Sequence, residues 1–110
     1  NKEKSIRGEF KETTIKCGDS GHLKASGTNI SEGSTTTFKI FRMRDNKSLC
    51  SVNAPMQNQS ISALAWQPQR PADHTKGDEY TFNISADGEK ATSSNKFKFH
   101  MKKCLYFFLF

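Results

Sequence analysis

The chain has 110 residues and a formal charge of +6, from 17 Lys and Arg against 11 Asp and Glu. That length suits one domain with one core, although only 34% of the residues are hydrophobic and the mean hydropathy is −0.74. Disorder is excluded by nine Phe, one Trp and two Tyr that recur at strand spacing, since disordered chains are poor in aromatics.

Residues 1–9 are charged and read as a lead-in or a linker. Phe10 to Lys16 is the first strand candidate, with β-branched Thr13, Thr14 and Ile15. Gly18-Asp19-Ser20-Gly21 is a turn cluster before a second strand, His22 to Thr28. Thr35 to Arg44 is the third, with Phe38, Ile40 and Arg42 on one face and Lys39, Phe41 and Met43 on the other. Asp45-Asn46-Lys47 turns the chain into a fourth strand, Ser48 to Asn53, which Pro55 ends because it cannot donate to a central ladder.

Ser60 to Trp66 is the fifth strand, with Leu64 and Trp66 on one face and Ile61, Ala63 and Ala65 on the other. After a long loop, Pro68 to Lys76, the sixth strand, Asp78 to Ala86, alternates Tyr80, Phe82 and Ile84 against Thr81, Asn83 and Ser85. Asp87-Gly88 is a hairpin signal. The seventh strand, Thr92 to Met101, alternates Phe97, Phe99 and Met101 against Lys96, Lys98 and His100.

No window carries a helical apolar stripe. The pattern predicts an all-β domain over residues 10–103, an antiparallel two-sheet sandwich of seven or eight strands. Trp66, Tyr80, Phe82, Phe97 and Phe99 are expected in its core. Residues 104–110 form an apolar tail, read as a last strand or an appendage; it is too short for a membrane span.

The positive charge is scattered. The nearest approach to a patch is Lys39, Arg42, Arg44 and Lys47, with Lys96, Lys98, Lys102 and Lys103 elsewhere. No Gly-aromatic RNA signature accompanies them, so no nucleic-acid partner is expected.

Candidate chemistry is sparse. Gly18-Asp19-Ser20-Gly21 has the form of a serine-protease nucleophile sequence, but that chemistry needs a histidine base and an orienting acid. No histidine stands among residues 1–16, where the chymotrypsin order would place it, and a polar turn is expected instead. His22, His74 and His100 with Cys17, Cys50 and Cys104 lack the short paired spacing of structural zinc, Cys17 and His22 being the one close pair. Glu12, Asp19, Asp45, Asp73 and Glu79 sit at turns or edges as solvated charges. No catalytic, cofactor-binding or metal residue is assigned, and the expectation is a binding domain rather than an enzyme.

Three cysteines leave at least one free thiol in a monomer and lean towards a reducing compartment. Residues 1–16 are polar, and a signal peptide is not expected there. Against this, Cys50, Trp66 and Cys104 resemble the Cys…Trp…Cys spacing of an immunoglobulin domain. That resemblance implies a secreted or cell-surface recognition domain with a Cys50–Cys104 disulfide, although Lys102 stands where such domains carry a tyrosine. Asn-x-Ser sequences at Asn29, Asn46, Asn58 and Asn83 would suit a glycoprotein, with Asn83 awkwardly mid-strand.

A second resemblance rests on Ile15-Lys16-Cys17-Gly18-Asp19, on Phe38-Lys39-Ile40-Phe41-Arg42 with Asp45-Asn46, on Ala65-Trp66, and on Tyr80-Thr81-Phe82-Asn83-Ile84 followed by Gly88, Ser94 and Phe97-Lys98-Phe99. In order and spacing these resemble the immunoglobulin-like or transthyretin-like β-sandwich domains at the C-termini of bacterial type VI secretion spike proteins (the VgrG family) and associated proteins. The resemblance spans about residues 10 to 102 and has no counterpart for the tail. It implies a non-enzymatic adaptor whose partner is another protein, the spike body or an effector. The implied setting is the bacterial cytoplasm with export on the spike, the alternative being extracellular. No functional residue carries over, because the family shares core residues rather than a motif, and no spike body accompanies this sequence.

Overall fold

The computed structural model describes residues 3–16 and 18–99. Seven strands follow in chain order: β1 (Ser5–Phe10), β2 (Gly21–Thr28), β3 (Thr35–Arg42), β4 (Ser48–Pro55), β5 (Ser60–Trp66), β6 (Tyr80–Ala86) and β7 (Glu89–Thr92). There is no helix among the described residues. The strands form two antiparallel sheets, β1-β2-β5 and β4-β3-β6-β7. The expected all-β, two-sheet architecture is therefore the one observed.

The core lies between the sheets. Phe38, Ile40, Tyr80, Phe82 and Ile84 are fully buried from the four-stranded side. Phe10, Leu23 and Trp66 meet them from the other. The rings interlock edge to face: Phe10 on Phe82 at 4.9 Å, Phe38 on Phe82 at 5.2 Å, and Trp66 on Phe97 at 5.2 Å. Such pairs contribute about 0.5–1.5 kcal/mol each beyond the burial of their area. Phe99 packs at the margin, partly buried. His100 and Met101, expected in the last strand, and the tail 104–110 lie outside the described residues.

Three strand assignments are corrected. The supposed lead-in contains β1, in which Ile6, Gly8 and Phe10 point inward and Ser5, Arg7 and Glu9 outward. Phe10 is thus the end of the first strand, and residues 11–16 leave the ladder. In β5 the expected faces are wrong: Ile61 and Trp66 are both buried. Leu23 pairs with Leu64 and Ala25 with Ile61, so β5 has one residue more than β2 between those pairs. That bulge flips the side-chain alternation partway along the strand. Finally, β7 starts directly after the Asp87-Gly88 turn, not at Thr92. The turn has φ of 50° and 82° at its two central residues, as a two-residue hairpin of matching twist requires. Residues 93–96 then leave the ladder, and Phe97 returns to it through one bridge to Tyr80.

Candidate functional site

The Gly18-Asp19-Ser20-Gly21 segment is a turn that feeds β2, with the Asp19 amide donating to the Lys16 carbonyl at 3.1 Å. Ser20 Oγ reaches Gln67 Oε1 at 3.5 Å. His22 faces Glu12 instead: Nδ1 lies 2.9 Å from Oε2, and the His22 amide donates to Oε1 at 2.8 Å. Burial acts to raise the Glu12 carboxyl, but the hydrogen bonds from the His22 ring and backbone outweigh it and hold the group below its usual range. The acid that a triad would need is present, but among the described residues no hydroxyl or thiol is bonded to the His22 ring.

Of the four residues that came nearest to a basic patch, Arg42, Arg44 and Lys47 are paired with three carboxylates. Arg42 is a β3 residue on the same inward face as Phe38 and Ile40, and it is 1% exposed. Its Nε and Nη2 donate to Asp45 at 3.0 and 2.8 Å, and Nη1 and Nη2 to Asp73 at 2.9 Å each. Arg44 makes a second fork to Asp78 at 2.9 and 3.0 Å, and Lys47 reaches Asp73 at 2.9 Å. The Arg42 hydrogen bond and charge hold Asp45 down to about 2. Arg42 and Lys47 together push Asp73 well below the carboxylate range, and Arg44 does the same to Asp78. The guanidinium fills the centre where three acids converge, so this cluster ties the loop 67–79 to the sheet. Among the described residues no group of three or more His, Cys, Asp or Glu is placed to hold a metal ion.

Cys50 is half-buried on β4, an edge strand, and burial pushes its thiol up. An immunoglobulin disulfide joins the central strands of the two sheets; here β2, β3 and β6 carry no cysteine. Cys17 and Cys104 lie outside the described residues. Of the four Asn-x-Ser asparagines, Asn29, Asn46 and Asn58 have φ of 58°, 59° and 54°. Left-handed turns, which asparagine tolerates better than most residues, account for those three.

The feature that sequence reasoning passed over is an absence of charge. From Ser48 to Gln69 no Asp, Glu, Lys, Arg or His occurs, in a chain that is 25% charged. This run spans β4 and β5, and each is an edge of its sheet. On β4, Leu49, Cys50, Val52 and Ala54 are half-buried, while Ser48, Ser51, Asn53 and Pro55 are exposed. The first turn of this edge is bulged: Ile40 pairs with Cys50 and Phe41 with Ser48, leaving Leu49 unopposed. A pocket of about 300 Å³ opens there, lined by Leu49, Cys50, Gln67 and Gln69 and also by the charged Lys47 and Arg70.

The connection between the two edges is pinned. Gln59 accepts from the Ile30 amide at 2.8 Å and donates to the Ile30 carbonyl, and the Gly27 amide donates to the Gln59 carbonyl at 2.9 Å. Met56, fully buried, exchanges backbone hydrogen bonds with Gly33 and Ser34 at 2.8 and 2.9 Å. The opposite side of the sandwich is closed: the Ser94 amide donates to the Gly8 carbonyl at 2.9 Å, and charges line it at Arg7, Glu9, Glu89 and Lys90. Natural sheets protect edges with charges, as here on β1 and β7; β4 carries none.

No family model, curated protein or solved structure matches the chain. Among the described residues no helix is long and apolar enough to cross a membrane.

Proposed function

We propose that this is a non-enzymatic protein-interaction domain that receives an extended segment of a partner protein along β4. The observation that carries the reading is the uncharged edge of eight residues, Ser48–Pro55, in a chain that charges the edges β1 and β7 on the opposite side; the β5 edge beside it is uncharged as well. Strand addition draws its affinity from main-chain hydrogen bonds and its specificity from pockets for alternate side chains. The β4 edge offers both, with the pocket beside Leu49 and Cys50 as the side-chain receptor. The pinned β4–β5 connection keeps that edge extended before the partner arrives, which lowers the ordering cost of binding.

The sandwich is read as immunoglobulin-like, with β3 and β6 at the centre of a sheet extended by β4, as variable-type domains extend theirs. The biological setting, an adaptor of a bacterial type VI secretion spike or its effector, rests on the sequence resemblance. The test is capture by the immobilised full chain from a lysate of its source organism, beside a Ser51→Lys/Asn53→Lys variant. Both substitutions are exposed, so the thermal midpoint should hold. A partner retained by the parent and lost by the variant supports edge addition; equal capture by both removes β4 from the interface.

A further inference from the structure

The start of β4 and the loop after β5 meet at a pocket that differs in charge from the edge it adjoins. Lys47 and Arg70 line it beside Leu49 and Cys50, and among the described residues no acid does. Lys47 is 55% exposed and uses one of its three donors on Asp73 Oδ2, at 2.9 Å. That oxygen already accepts from Arg42 Nη2, also at 2.9 Å. Four cations at this corner, Arg42, Arg44, Lys47 and Arg70, stand against three carboxylates, Asp45, Asp73 and Asp78. The surplus positive charge faces outward, because Arg42 is sealed in the core while Lys47 and Arg70 are exposed.

The register of β4 fixes which groups an added strand meets. The Met56 amide donates to the Ser34 carbonyl at 2.9 Å, and alternation from that pair turns the main-chain groups of Cys50, Val52 and Ala54 towards β3. Those of Ser51 and Asn53 point to the open edge, and Pro55 brings no donor. The side chains of Cys50, Val52 and Ala54 stand opposite Ile40, Phe38 and Thr36 on the core face and are only half-buried. Residues opposite one another in a ladder share a face, so every second residue of an added strand extends that row. The one opposite Cys50 lies beside the pocket.

We propose that the partner segment received along β4 carries an acidic side chain opposite Cys50 and apolar side chains opposite Val52 and Ala54, its carboxylate entering the pocket against Lys47 and Arg70. Added antiparallel, as every ladder in the sandwich is, the segment reads apolar-x-apolar-x-acidic. The proposal rests on strand addition at β4 and gives the incoming strand a chemical identity. A second copy of this chain paired through its own β4 does not fit, because Ser48 to Gln69 holds no acid to place there. The charge also sets the register: a strand slipped by one residue turns its acid away from the pocket and its apolar side chains to solvent.

The experiment measures binding of the full chain to a soluble carrier protein that displays Thr-Val-Thr-Val-Thr-Glu-Thr between flexible linkers, beside carriers with Gln or Lys in the Glu place. The Glu segment is expected to bind on the order of tenfold more tightly than the Gln segment, the low end for a hydrogen bond to a charged group, and the Lys segment more weakly still. The Glu advantage should shrink with added salt and in Lys47→Gln/Arg70→Gln. Equal binding of the Glu and Gln segments overturns the acidic specificity and leaves addition at β4 standing, as does a Glu advantage that Lys47→Gln/Arg70→Gln keeps in full. The Gln segment should lose its binding to Ser51→Lys/Asn53→Lys. Binding that survives that change, or no binding of any segment, overturns the β4 interface together with the proposal.

Discussion

Arg42 and Asp73 are joined through two parallel hydrogen bonds, Nη1 to Oδ1 and Nη2 to Oδ2, each 2.9 Å long. The pair fastens the loop between β5 and β6 to the end of β3. Arg42 sits among core residues while Asp73 is half exposed, so the contact draws the loop over the end of the core. Asp73→Ala should therefore lower the thermal midpoint by several degrees. It should first loosen the loop, where the Thr75 amide donates to Asp78 Oδ2 at 2.9 Å and the Asp78 amide donates to the Thr75 carbonyl at 3.0 Å. Hydrogen exchange of those two amides checks this. Arg42→Lys should not substitute for the parent residue, because an ammonium lacks the planar fork that grips two carboxylates at once.

The same loop carries a titration. The His74 ring is buried, with Nδ1 3.0 Å from the Tyr80 hydroxyl and Nε2 without a hydrogen-bond partner among the described residues. Burial pulls its pKa below the usual 6.5, against the pull of Asp78 and with that of Arg70, Arg42 and Arg44. With the folded value depressed, the unfolded chain binds the proton first as pH falls. Stability is complete above about pH 6.5 and should decline below it. A second decline should follow below about pH 4, as the depressed carboxylates Asp45, Asp73 and Asp78 are forced to protonate. Urea midpoints between pH 8 and pH 3 should show both phases, and His74→Phe should remove the first alone.

Gly8 is a matter of space. A Cβ there would stand 2.8 Å from Cε1 of Phe82 and 3.1 Å from the Lys24 carbonyl oxygen. The ring is fully buried and the carbonyl belongs to β2, so neither can yield cheaply. Gly8→Ala should cost about 1–3 kcal/mol, as overpacking does. Chemical denaturation measures it, and Phe82→Leu in the same chain should recover part of the loss relative to the two single changes added together.

The thiols separate the two biological settings. An adaptor of a reducing compartment should show three free thiols when denatured without reductant, whereas a Cys50–Cys104 bond would leave one. In the folded chain Cys50 should alkylate slowly at neutral pH, because burial raises its thiol.

How far the sequence foretold this molecule depends on where its side chains alternate cleanly. Tyr80 to Ile84 and Phe38 to Arg42 were legible because period-2 alternation survives along their whole length. β1 alternates equally well in the structure, but its middle inward position is Gly8, which has no side chain to signal burial. The faces of β5 were misread because a bulge shifts the register, and nothing local in Ser62-Ala63 announces it. For the last strand, the hairpin turn at Asp87-Gly88 already required pairing to begin at Glu89, and aromatic spacing drew attention too far along. The Arg42 cluster was invisible because its acids come from two loops, one of them about thirty residues away. The uncharged edge, by contrast, stood in plain view between Ser48 and Gln69; what the sequence withheld was that both strands in that run are edges.

The Gly8–Ser94 closure on one side of the sandwich and the bare β4 and β5 edges on the other give the domain a single adhesive side. A sandwich open at both sides can add neighbours without limit and grow into a fibre. Here an occupied β4 leaves no equivalent uncharged edge on the far side to propagate from. Even pairing between two copies would end at a closed two-fold dimer. Complexes built on this side should therefore stay finite rather than grow into fibres, since only one side of the sandwich can add a strand.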